Sequence, residues 1–78
     1  MNYDGHSLNE ISIEEYNNYL RLVIPGFVRL NNVKFKCFRC TTCNTYFEQN
    51  TADYIYVYGQ YKSEQLSCSE TIIKNIIE

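Results

Sequence analysis

Phe35-Lys36-Cys37-Phe38-Arg39-Cys40-Thr41-Thr42-Cys43-Asn44-Thr45-Tyr46-Phe47 carries three of the chain's four cysteines at two-residue spacings, and Cys68 follows beyond a tyrosine-rich segment. Two thiolates separated by two residues can turn inward on one backbone loop and hold Zn²⁺ at about 2.3 Å in tetrahedral geometry. Such a loop needs a residue after its second cysteine that tolerates positive φ, which glycine does best and asparagine next. Asn44 follows Cys43, whereas β-branched Thr41 follows Cys40. The better knuckle is therefore Cys40–Cys43, with Cys37 entering from the strand before it.

The pattern Phe38-x-Cys40-x-x-Cys43-x-x-x-Phe47 resembles the first knuckle of a zinc ribbon. In that family a CxxC turn joins two strands and flanking aromatics pack beneath the metal, so the resemblance implies a structural Zn²⁺ at the tip of a hairpin. The family's second CxxC is not repeated: Thr71 stands three residues after Cys68. The expected ligand set is Cys37, Cys40, Cys43 and Cys68, with His6 or Glu70 as the alternatives for one of the second pair.

Other uses of four cysteines fit less well. A disulfide framework suits a short secreted chain, but Met1-Asn2-Tyr3-Asp4-Gly5 has neither a basic n-region nor an apolar run, so a reducing, cytoplasmic setting is expected. A redox CxxC would need a thioredoxin-like βαβ unit, and an iron–sulfur cluster would need a close fourth cysteine followed by proline. Neither pattern is present.

At 78 residues with 45% apolar content, the chain is expected to be one folded domain that buries only about 60–65% of its unfolded surface. A structural metal worth about 10–16 kcal/mol of apparent binding energy would exceed the few kcal/mol such a core supplies. No apolar run approaches the roughly 18–20 residues that span a bilayer, so no membrane segment is expected. The bias toward Asn, Ile, Tyr, Phe and Lys suits an AT-rich bacterial, phage or viral genome.

The net charge of −2 is unevenly spread. Arg21, Arg29, Lys34, Lys36 and Arg39 occupy a stretch without acids, while acidic residues dominate both flanks. A basic segment over 21–39 beside a zinc knuckle could follow a phosphate backbone through Arg29, Lys34, Lys36 and Arg39. The low sequence pI of 5.3 favours instead a solvated face whose charges pair with the flanking acids.

Outward from the knuckle, residues 1–10 lack periodicity and are expected to be a flexible arm. Ser12 and Glu15 form a capping box that starts a helix, with Ile13, Tyr16, Leu20 and Val23 as its apolar stripe, Tyr19 and Leu22 widening it, and Glu14, Asn17, Asn18 and Arg21 facing water. Pro25-Gly26 ends it in a type II turn. Residues 27–38 are expected to be extended in two pieces, and a return strand covers 45–48. A turn at 49–52 leads to a strand over 53–62, in which Tyr54, Tyr56 and Tyr58 alternate with Ile55 and Val57, Gly59 marks a bulge, and a further turn follows at 62–65. Ser69 is the expected cap of a last helix with Ile72, Ile73, Ile76 and Ile77 on one face.

The expected fold is α+β: an N-terminal helix, three or four antiparallel strands with a zinc-knuckle tip, and a short C-terminal helix. The one histidine lies in the expected arm, which argues against a serine–histidine–acid triad, and three scattered glycines make no phosphate loop. The expected function is therefore non-enzymatic: a monomeric or homodimeric module that binds a protein partner through Tyr54, Tyr56 and Tyr58. It would act as a regulator or inhibitor, of phage or mobile-element type, on a nucleic-acid-processing machine. The alternative is a zinc-ribbon protein that binds nucleic acid directly through 21–39.

Overall fold

The segment expected to be a flexible arm is a β-hairpin in the computed structural model, which describes residues 1–58 and 65–77. Strands β1 (Asn2–Tyr3) and β2 (His6–Ile11) pair antiparallel, with Tyr3 opposite His6. Asp4 and Gly5 join them with φ of 49° and 81°. Positive φ at both central positions marks a type I′ turn, whose twist matches that of the strands it connects.

Helix α1 (Ile13–Val23) follows, capped by Ser12, whose side chain accepts the Glu15 amide at 3.1 Å; this is one half of the expected capping box, the Glu15 carboxylate lying 4.0 Å from Arg39 Nε instead. It ends where Phe27 N–H donates to the Ile24 carbonyl across Pro25-Gly26, with Gly26 at φ 70° as a type II turn requires. Three more strands complete an α+β architecture: β3 (Lys36–Cys40), β4 (Tyr46–Gln49) and β5 (Ile55–Tyr56). The sheet order is β1-β2-β3-β4-β5, all antiparallel, and the chain closes with α2 (Cys68–Ile77).

Four details depart from expectation. The sheet has five strands among the described residues, and α1 comes after two of them. Residues 27–35 form no strand. Only Ile55–Tyr56 of the tyrosine segment is strand, while Gly59 and most of the turn at 62–65 lie outside the described residues. The cap of α2 is Ser67: its hydroxyl accepts the Glu70 amide at 3.2 Å, and Glu70 Oε1 accepts the Ser67 amide at 3.1 Å. This reciprocal box makes Cys68 the first residue of the helix.

Alternation along the strands divides the protein into two small cores. Leu8 faces Cys40 and Phe38 faces Phe47 in the ladders, and these four cluster with Cys68 on one side of the sheet, bordered by Tyr3, Ile55, Val57 and Ile72. Cys37, opposite Ile11 and Glu48, points to the other side and clusters with Tyr16 and Leu20 of α1. Burying side chains of this size stabilises by about 1.5–3 kcal/mol each. Leu22 and Val23, expected to extend the stripe of α1, are instead exposed.

Asn17, expected to face water, is fully buried. Its side chain donates to the Leu30 carbonyl at 3.0 Å and accepts the Leu30 amide at 2.8 Å. Those two bonds fasten the irregular 27–35 segment to α1, completing the backbone pairing that a strand would otherwise supply. Asn17→Ala is expected to cost about 1–3 kcal/mol, because it orphans both Leu30 groups. Urea unfolding measures that loss, and hydrogen exchange should localise the faster opening to 27–35.

Beneath α1, the Tyr16 hydroxyl donates to the buried carboxylate of Glu48, the cross-strand neighbour of Tyr56. Burial first, and then Glu48, push the Tyr16 and Tyr56 phenols above their ordinary range. Both phenols therefore remain neutral donors, which compensates the burial of Glu48.

Candidate metal centre

Four segments converge at the free end of the first core. The type I′ turn delivers His6 as the first residue of β2, on the same face as Leu8. Cys40 ends β3, Cys43 sits in the hairpin turn between β3 and β4, and Cys68 opens α2. The α2 N-terminus is pinned to the first turn by the Cys68 amide, which donates to the Asp4 carbonyl at 3.2 Å. Gly5 is required there by its φ of 81°, which L side chains rarely adopt, and not by crowding, since a Cβ would meet Cys68 Cβ at 3.6 Å in ordinary contact.

The turn has the knuckle form expected from its sequence. Asn44 adopts φ 61°, its amide donates to the Cys40 carbonyl at 2.9 Å, and the Cys40 amide donates to the Thr45 carbonyl at 2.8 Å. Burial opposes ionisation of Cys40, but hydrogen bonds donated by the Cys43 and Thr42 amides lead the effects that prevail over it, bringing the thiol down to about 6. Cys68 is pushed up to about 11, by burial and by the neighbouring sulfurs of Cys40 and Cys43.

The ligand atoms of His6, Cys40, Cys43 and Cys68 all lie within 4.8 Å of one another. Cys40 and Cys68 sulfurs are 3.8 Å apart, and Cys43 Sγ is 3.3 Å from His6 Nδ1. A tetrahedron built with the usual Zn–S and Zn–N lengths has edges of about 3.8 Å between sulfurs and about 3.6 Å between sulfur and nitrogen. The sulfur separation equals its edge and the sulfur–nitrogen separation falls about 0.3 Å short of its own, so with all four donors within 4.8 Å the set is close enough to hold a four-coordinate metal ion.

No family model, curated protein or solved structure matches this chain. The site must therefore be understood from its own atoms.

His6 is oriented for ligation by its second nitrogen. Nε2 lies 3.0 Å from the Leu66 carbonyl, which can only accept, so Nε2 carries the proton and Nδ1 presents its lone pair to the cluster. The ring packs edge-on against Phe47 with centroids 4.7 Å apart, an aromatic floor of the kind the zinc-ribbon resemblance implies. His6 and Cys40 are wholly buried, Cys68 nearly so, and Cys43 partly exposed.

Cys37 is not brought to this cluster. It lies three positions before Cys40 on one strand, and an odd step along a strand reverses the face. Burial, then Glu48 and Glu10, raise its thiol to about 11, so it is an inert member of the α1 core. His6, named in the sequence only as a substitute ligand, takes the fourth place, and Glu70 serves the α2 cap.

Of the tyrosines, Tyr54 and Tyr58 are exposed, whereas Tyr56 is half-buried beside Glu48. In the basic segment, Arg29 pairs with the Glu14 carboxylate, which it holds below the usual range. Arg39 donates to Asn44 Oδ1 at 3.1 Å and has Nε 4.0 Å from Glu15. Lys34 and Lys36 are exposed.

One signal for His6 was present in the sequence. Asp4-Gly5 is a strong two-residue hairpin turn, and His6 and Leu8 then alternate with polar residues as a half-buried strand should.

Proposed function

We propose that the chain is a small non-enzymatic binding module whose fold is closed by one structural Zn²⁺ on His6, Cys40, Cys43 and Cys68. The donor set supports this. Three soft thiolates and an imidazole suit Zn²⁺ better than oxygen-seeking cations, and four protein ligands fill a tetrahedron without leaving a position for water or substrate. Sites closed in this way are structural in most proteins. The bound ion would tie the first hairpin, the knuckle and α2 together, joining elements that are distant in sequence.

Cys37→Ala should still bind one Zn²⁺ per chain, while His6→Ala should bind it much more weakly. Mass spectrometry under native conditions distinguishes the two. Loss of zinc from Cys37→Ala would overturn the assignment.

For the partner, we favour a protein over a nucleic acid. Arg29 and Arg39 are engaged with Glu14, Glu15 and Asn44, leaving Arg21, Lys34 and Lys36 as the basic side chains of 21–39 without an ion pair among the described residues. Three such cations give weak, salt-sensitive attachment to phosphate. Tyr54 and Tyr58 offer ring surface of the type that anchors protein partners, and acidic residues flank them in sequence. A regulator or inhibitor of a nucleic-acid-processing machine, working in a reducing compartment, is consistent with those features. No helix among the described residues is long and apolar enough to cross a membrane.

Two measurements test this together. Capture from a host lysate should depend on Tyr54 and Tyr58, being lost in the double alanine variant. Titration with DNA and RNA at low salt should show no binding, whereas tight, salt-dependent binding would favour the nucleic-acid alternative.

A further inference from the structure

We infer that the metal centre is also a peroxide-responsive clasp, in which oxidation joins Cys40 to Cys68 and expels the ion. The inference rests on the zinc assignment and adds a regulation to that site. Its basis is the disposition of the sulfurs. Cys40 and Cys68 are 3.8 Å apart, both are buried, and each is held on regular structure, at the end of β3 and the start of α2. Cys37 is on the opposite face of the sheet and cannot compete for either.

Cys43 is more exposed, but its sulfur lies 3.1 Å from the Thr45 hydroxyl. A hydrogen bond donated to a thiolate draws electron density from it and weakens it as a nucleophile. Of the buried pair, Cys68 is 6% exposed and Cys40 is 0% exposed. Cys68 is therefore the one that a small oxidant reaches first.

The reaction balances with hydrogen peroxide as the oxidant. Zinc ligation holds Cys68 deprotonated despite its raised thiol, and this thiolate attacks one peroxide oxygen, the O–O bond breaks, and the departing hydroxide takes a proton from solvent to become water. The Cys40 thiolate then attacks the sulfenic sulfur, the S–S bond forms, and a second hydroxide leaves and is protonated. The two sulfurs lose two electrons and the peroxide gains them. His6 and Cys43 remain as the only ligands, too few to retain Zn²⁺ at a site designed for four. The new bond spans 28 residues and keeps α2 attached to β3 after the ion has gone.

The test uses the full zinc-loaded chain treated with one equivalent of hydrogen peroxide. A chromogenic chelator follows zinc, and non-reducing peptide mapping with fragmentation locates the disulfide. About one zinc per chain should be released as a Cys40–Cys68 cross-link appears, Cys37 should remain open to alkylation after denaturation, and thiol reductant with added zinc should restore the starting state. Cys37→Ala should behave as wild type, and Cys68→Ala should give no cross-link to Cys40. Retention of zinc, or a cross-link confined to Cys40 and Cys43, would overturn the inference. Metal content before peroxide separates the two claims: a chain that never held zinc refutes the zinc assignment, while mapping its metal-free form still tests the pairing.

Discussion

Cys40→Ser is expected to leave the chain without tightly bound metal and largely unfolded at 25 °C. Cys40 belongs to both the apolar cluster and the ligand set, and it is wholly buried. A serine hydroxyl does not supply the thiolate that Zn²⁺ takes from cysteine. Structural zinc contributes about 10–16 kcal/mol of apparent binding energy, against the roughly 3–5 kcal/mol that a core of this size supplies. Losing even half of the metal term therefore exceeds the stability left. Far-ultraviolet circular dichroism and metal content, read on the same sample, should both collapse, and a chelator should do the same to the wild-type chain. A variant that melts within a few degrees of wild type would show that the fold stands without the ion.

Phe47→Ala should cost about 3–5 kcal/mol, the usual range for emptying a buried aromatic site. Phe47 is almost fully buried on the metal face, directly opposite Phe38 in the sheet. Its ring meets those of His6 at 4.7 Å and Tyr3 at 6.1 Å, both edge to face. The variant thus removes the floor of the ligand site as well as core volume. Zinc affinity is expected to fall along with the urea midpoint, because His6 keeps its Leu66 contact but loses the surface that fixes its tilt. A loss below about 1 kcal/mol with unchanged zinc affinity would mean that His6 is positioned by something else.

The sequence revealed the parts of this fold whose causes are local. Ser12 with Glu15, Pro25-Gly26 and Asn44 after Cys43 each impose a backbone conformation on their immediate neighbours, and each appears as expected. Ile55 and Val57 likewise join the metal-side core while Tyr56 turns toward Glu48. The departures come from pairing between distant segments. The arm is a strand because it pairs with β3, whose partners lie 26 to 32 residues further along the chain. Asn17 is buried because the 27–35 segment lies across it, which helix periodicity alone does not reveal.

Cys37 illustrates a different kind of difficulty. Its spacing from Cys40 suits a ligand when the entering strand ends before Cys40, but the same spacing forbids one when the strand runs through to Cys40, as it does here. The strand prevails because Leu8, Asn9, Glu10 and Ile11 are there to complete its ladder. In the last helix, a serine two residues earlier than expected sets the cap, and that shift makes Cys68 the first residue of the helix rather than one before it.

The coordination shell tests the central claim most directly. X-ray absorption at the zinc edge of the loaded chain should show three sulfur atoms at about 2.3 Å and one nitrogen at about 2.0–2.1 Å. His6→Ala should remove the nitrogen signature and leave Cys37 outside the shell. A shell of four sulfurs in the wild-type chain, or failure to retain a stoichiometric metal at all, would contradict the convergence of His6, Cys40, Cys43 and Cys68 on one ion.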